Sequence, residues 1–113
     1  MLNRRVSDDT PLLALSTVDD EAVARSLARE LLDAELVTCV NLVPGVTSMY
    51  RWQGRIEESR EWLLLLKTSS SRWPALKQRL PALHPYDVPE LIATEIVDGL
   101  EPYLRWLVSA GKE

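Results

Sequence analysis

Residues 46–68 read VTSMYRWQGRIEESREWLLLLKT, and the fold turns on them. Two strand-like runs flank Gln53-Gly54, a pair suited to a tight hairpin turn because glycine accepts positive φ without steric cost. The second run, from Arg55 to about Thr68, passes through Trp62-Leu63-Leu64-Leu65-Leu66. A strand with one face in water alternates apolar and polar residues, and this one does not. Successive side chains point to opposite faces, so one set goes under a layer of helices. That set is either Leu63 and Leu65 or Trp62, Leu64 and Leu66. The other set also faces something dry, because leaving such side chains in water forgoes about 1.5–3 kcal/mol each. Another subunit is the simplest cover; the alternative is that the terminal helix folds back across that face.

Upstream, residues 36–43, LVTCVNLV, are β-branched and read as a strand. Pro44-Gly45 interrupts them. A full turn there would have to reverse the chain with almost no loop, so the pair reads as a bulge inside one long strand. Residues 11–17, PLLALST, form a first strand, and 1–10 a loose tail. Between these strands the spacing predicts a helix over 19–34. Val23, Leu27 and Leu31 recur one turn apart, widened by Ala24, Ala28 and Leu32. Thr17 and Asp20 stand at capping-box-like spacing, and Glu21 and Arg25 can pair one turn apart.

Downstream, residues 69–83 form a second helix, with Ser69, Ser70 or Ser71 as its cap and Pro74 in its first turn. Trp73, Leu76, Leu80 and Leu83 share one face, and Pro81 is expected to kink or loosen the last turn. The segment 84–90, HPYDVPE, is a proline-punctuated connection. Residues 91–97, LIATEIV, are a fourth strand, ended by Asp98-Gly99, and 101–110 are a terminal helix. The order is β-α-β-β-α-β-α. It predicts an α+β, ferredoxin-like domain over 11–113, with an antiparallel sheet and both main helices on one face.

At 113 residues the chain can bury a core without disulfide or metal staples. Its net charge of −4 argues against nucleic acid or an anionic membrane as partner. The longest apolar run is too short to span a bilayer, and residues 1–9 lack the apolar core of a signal peptide. A single cysteine fits a reducing compartment, so a cytoplasmic protein is expected.

Few patterns point to catalysis. The four glycines form no phosphate-binding loop, and one histidine excludes multi-histidine zinc sites within a chain. Cys39 and His84 are the one thiol and the one imidazole. They make a nucleophile–base pair only if the fold unites them; Cys39 sits in a β-run, where a buried, inert thiol is commoner. His84 lies in a loop before Pro85-Tyr86, where ligand-binding residues concentrate, or it caps and packs the second helix. Asp87 and Glu90 lie near enough in sequence to share a His/carboxylate site. Glu57, Glu58 and Glu61 read as a solvated, edge-protecting stretch. Lys67 snorkels to the sheet edge or faces an anionic ligand. Tyr50, Trp52 and Tyr86 suit a cleft or a subunit contact.

The run from Cys39 to Glu57, CVNLVPGVTSMYRWQGRIE, resembles the signature of the CutA family, the divalent-cation tolerance proteins. Leu66-Lys67-Thr68, the segment 84–90, Asp98-Gly99 and the 103–106 run YLRW agree with it, in order from about Leu12 to Trp106. The resemblance implies a ferredoxin-like subunit in a PII-like homotrimer, with sheets meeting around the axis, and a link to copper and other divalent cations. Copper-associated bacterial members carry a cysteine at the end of the first strand and a His-His pair before Pro-Tyr. Here those positions hold Ser16 and Leu83-His84, so only His84 matches as a metal ligand. A hydroxyl in place of a thiolate and leucine in place of an imidazole weaken a copper site there. Cys39 matches a family cysteine on a different strand.

Three functions follow as expectations. The first is a trimeric divalent-cation tolerance protein that binds copper or another divalent cation weakly, using His84 with nearby carboxylates. The second is a PII-like sensor with a small ligand in inter-subunit clefts, lined by Cys39, Tyr50, Trp52, Lys67, His84, Tyr86 and Glu90. The third is a ligand-free scaffold trimer. An enzyme is not expected, because no acid–base pair or cofactor motif stands out.

Overall fold

The computed structural model describes residues 9–112. The elements are β1 (Pro11–Val18), α1 (Glu21–Asp33), β2 (Cys39–Trp52), β3 (Arg55–Ser69), α2 (Trp73–Leu83), β4 (Ile92–Glu95) and α3 (Glu101–Val108). The strands form one sheet in the order β2-β3-β1-β4, every neighbouring pair antiparallel. This is the ferredoxin-like arrangement that the element order predicts.

The leucine run resolves as one of its two readings. Leu64 and Leu66 are fully buried, opposite Ser16 and Ala14 of β1. Ala24, Leu27 and Leu31 of α1 and Leu76 and Leu80 of α2 close over them. On the other face Leu13, Leu15, Leu63 and Leu65 are only half-buried. Helix α3 packs against β3 and β1, with the Tyr103 ring 5.9 Å from Lys67 Nζ. The terminal helix therefore takes the Lys67 end of that face and leaves the leucines partly open.

Strand β1 stops at Val18, opposite Trp62, whereas β3 extends back to Arg55 paired only with β2. The overhang is a two-stranded arm about 20 Å long, at ~3.4 Å per residue. It accounts for the elongated 49 × 27 × 24 Å outline. At its tip Gln53 (φ 51°) and Gly54 (φ 80°) both take positive φ, the geometry of a two-residue hairpin turn matched to strand twist. At its root the register shifts between Val43 and Val46, with Gly45 at φ 72°. Pro44-Gly45 is thus a bulge that keeps β2 as one strand.

Several element ends differ from the sequence expectation. The cap of α1 is Asp20, whose carboxylate accepts Val23 N–H at 3.0 Å, while Thr17 remains inside β1. Strand β2 begins at Cys39 and not at residue 36, because residues 34–36 close α1. Glu35 takes φ 60°, its N–H donates to Leu32 O, and Leu36 N–H donates to Leu31 O. This Schellman closure usually signals itself by glycine, absent here. Helix α2 has Arg72 at its cap, whose side chain makes no capping bond to the helix. The serines serve elsewhere: the Asp9 carboxylate accepts from Ser71 N–H at 2.7 Å, Ser71 Oγ at 2.6 Å and Ser70 Oγ at 3.2 Å. The far end of α2 is as expected, at Leu83, with Pro81 inside the helix. Strand β4 is four residues long and wholly exposed, shorter than residues 91–97. Helix α3 stops at Val108, closed by a second Schellman turn through Ala110 at φ 60°.

Residues 1–8 of the stretch read as a loose tail lie outside the described residues; its last two, Asp9 and Thr10, are held by the serine bonds above and by Thr10 N–H to Ser70 Oγ at 2.9 Å. Among the described residues no helix is long and apolar enough to cross a membrane.

Candidate functional site

The arm overhangs the end of β1, and the loop after α2 rises beside it. Between them lies an open groove of about 740 Å³. Tyr50 and Trp52 of β2 and Glu57, Ser59 and Glu61 of β3 form its arm wall. Tyr86, Asp87 and Glu90 form the loop wall, and Asp19 stands at the end of β1. Tyr50 pairs with Glu57 and Ser48 with Ser59, so alternation puts these side chains on one face of the arm. Tyr50 Oη and Ser59 Oγ lie 3.4 Å apart.

The groove is strongly anionic. Among the described residues, five carboxylates line it, from Asp19, Glu57, Glu61, Asp87 and Glu90, with no lysine, arginine or histidine. Glu61 is buried to all but 6%. Its Oε2 accepts the Tyr86 hydroxyl at 2.7 Å. Burial, then the hydrogen bond to Glu61, then the charges of Glu61 and Asp19 push the Tyr86 phenol above its usual range. Tyr86 is therefore a neutral, fixed donor at physiological pH.

His84 caps the C-terminal end of α2 and is buried to all but 7%. Its Nδ1 accepts Tyr86 N–H at 3.1 Å, and its Nε2 lies 2.8 Å from Thr17 O. A carbonyl only accepts, so Nε2 carries the proton and the ring is a single neutral tautomer. The His84 ring meets the Tyr86 ring edge-on, with centroids 4.6 Å apart. His84 thus ties the loop to β1 and sets Tyr86 against Glu61. To ligate a metal, one ring nitrogen would have to leave its present partner.

Of the residues that the sequence grouped into one cleft, Tyr50, Trp52, Tyr86 and Glu90 meet in this groove. His84 stands behind Tyr86. Cys39 and Lys67 do not join them within one chain. They face each other in the β2–β3 register, six residues beyond Glu61 and about 20 Å along β3. There Lys67 Nζ donates to Asn41 Oδ1 at 2.7 Å, and the Cys39 thiol lies 4.0 Å from the same oxygen. Cys39 is half-exposed, not a core thiol. Glu57 and Glu61, read as a solvated stretch, turn out to be groove wall, as does Asp19. The available signal was the i, i+2, i+4 spacing of Glu57, Ser59 and Glu61, which aligns them on one strand face.

Among the described residues no three of His, Cys, Asp or Glu converge closely enough to hold one metal ion. The groove's donors are oxygens, which suit hard cations better than copper.

The sequence profile described as CutA1 divalent ion tolerance protein matches residues 12–110. The divalent-cation tolerance protein CutA of Thermus thermophilus is 52% identical over 95 residues, covering 84% of this chain and 92% of that protein. Its namesake from Escherichia coli is 40% identical over 107 residues, covering 95% and 96%. The solved structure of CutA1 from Oryza sativa superposes with a TM-score of 0.87 at 38% identity, covering 92% of this chain and 95% of that one.

Proposed function

The chain belongs to the CutA1 family of divalent ion tolerance proteins, and on that premise we propose that it acts as a cytoplasmic homotrimer that gathers divalent cations weakly at its acidic groove. The observation that carries this is the set of five groove carboxylates with no basic residue beside them among the described residues. Charges spread along a groove raise the local concentration of cations without enclosing one. The oxygen donors favour hard cations. Copper is the less favoured ion here, since His84 has both nitrogens engaged and Ser16 and Leu83 stand at the family's other ligand positions. The role is one of binding, with no catalytic step.

Three features support the homotrimer. The leucines of the open sheet face are half-buried and want a dry neighbour. A two-stranded arm is marginal in water unless something packs on it. The edge strand β4 is uncovered among the described residues, with Ile92 55% exposed. A PII-like ring of three sheets answers all three needs.

Calorimetric titration with Mg²⁺, Mn²⁺ and Cu²⁺ tests the cation reading. Weak binding is expected, with Kd about 10⁻⁴–10⁻³ M as in open carboxylate sites. It should be lost in Glu57→Gln/Glu90→Gln and kept in His84→Ala. Unchanged binding in the double variant would remove the groove, and loss in His84→Ala alone would make His84 the ligand. Analytical ultracentrifugation should give three times the 12.8 kDa protomer; a 12.8 kDa species would refute the trimer.

A further inference from the structure

We propose that the terminal helix α3 is a hinged strap over one end of the open sheet face, and that Arg72 is the clasp that fastens it. The inference does not rest on cation binding. It begins from a residue that is locally out of place. Arg72 stands at the N-cap of α2, where a cation opposes the helix dipole and its side chain makes no capping bond. Its guanidinium serves other elements. Nη2 donates to Leu107 O of α3 at 2.8 Å, Nη1 to Glu35 O in the turn that closes α1 at 3.5 Å, and Nε to Ser69 Oγ at 2.9 Å. One planar fork thus meets the C-terminal ends of two other helices, where positive charge is favoured. Helix α1 has no basic residue of its own in its last turn. Burial pulls the Arg72 guanidinium below its usual value, and the charges of Asp9 and then Glu35 work against that. It remains a cation in a half-dry setting, so its bonds are charge-assisted.

Helix α3 depends on this clasp. It is eight residues long, too short to stay helical in water by itself. Leu107 is its one fully buried residue, and among the described residues none from α3 joins the core cluster beneath α1 and α2. The helix can therefore leave while that core stays intact. The segment 96–100 before it is neither helix nor strand, and residues 97–100 are exposed, so a hinge is in place. At the other end the Leu107 carbonyl is the anchor, accepting both from Arg72 and from the Thr38 hydroxyl at 2.6 Å. The exposed ion pair of Lys112 with Glu35, at 3.0 Å, adds little. With the strap down, Tyr103 lies over Lys67. With it raised, the Lys67 end of the sheet face is bare.

Hydrogen–deuterium exchange on the full-length protein, at one protomer concentration, tests this. Amides of residues 103–108 should exchange at least about tenfold faster than those of 62–68 in β3, the mark of an opening smaller than global unfolding. Arg72→Met, and Arg72→Lys, which keeps the charge and loses the fork, should speed α3 exchange about tenfold further and leave β3 unchanged. Thr38→Val removes the other side-chain bond to the Leu107 carbonyl without touching α2. It should act in the same direction, and it keeps the test open if the Arg72 variants misfold. Equal exchange of α3 and β3 in the wild type would overturn the proposal, because the helix would then open only with the whole fold. So would variants that speed α3 and β3 alike, or no acceleration of α3 in any variant.

Discussion

Two buried hydroxyls on neighbouring strands should respond to deletion with opposite signs. Ser16 of β1 and Thr68 of β3 are both fully buried beneath the helices. Thr68 Oγ1 donates to Leu36 O at 2.7 Å, whereas Ser16 Oγ has no partner among the described residues. A buried hydroxyl without a partner costs about 1–3 kcal/mol in desolvation. Ser16→Ala removes that cost and leaves a void of about 10 Å³, worth about 0.2 kcal/mol at the cavity coefficient. The variant should gain about 1 kcal/mol or more, which is about 4 °C in Tm for a domain of this size. Thr68→Val keeps the shape but strands the Leu36 carbonyl, at a loss of about 1–3 kcal/mol. Urea unfolding followed by circular dichroism, at one fixed protomer concentration, measures both. Equal signs for the two variants, or a loss of 1 kcal/mol or more in Ser16→Ala, would refute the reasoning by showing that the Ser16 hydroxyl is satisfied.

Leu64→Ala, at a fully buried position in the centre of the sheet, should cost about 2–5 kcal/mol by the same unfolding assay. Gly45→Ala should cost about 1–2 kcal/mol in thermal denaturation, because the bulge needs φ 72° and a Cβ opposes left-handed backbone even though Arg60 is no closer than 3.8 Å. The raised Tyr86 phenol predicts an alkaline signature. Its contribution is whole below the unfolded phenol value of about 10 and is lost as pH rises through the higher folded value. The stability difference between wild type and Tyr86→Phe should therefore shrink above pH ~10 in denaturant titrations; a constant difference would detach Tyr86 from Glu61.

The order of elements, the long hairpin, the bulge at Pro44-Gly45 and the family are all readable in the linear chain. Each rests on residues a few positions apart: alternation along a strand, four-residue spacing in α1, or the turn chemistry of Gln53-Gly54. The Schellman turns at Glu35 and Ala110 were hidden, since neither left-handed residue is a glycine, and of the serines expected to cap α2, Ser70 and Ser71 were claimed by Asp9 and Ser69 by Arg72. The groove was hidden for a different reason. Its central bond joins Tyr86 to Glu61, 25 residues apart, and the histidine that holds Tyr86 in place bonds to Thr17, 67 residues away. Local pattern specifies which face of a strand a carboxylate occupies. Only the tertiary structure decides that β1 ends early enough for a loop to reach that face and turn a row of solvated glutamates into one wall of a site.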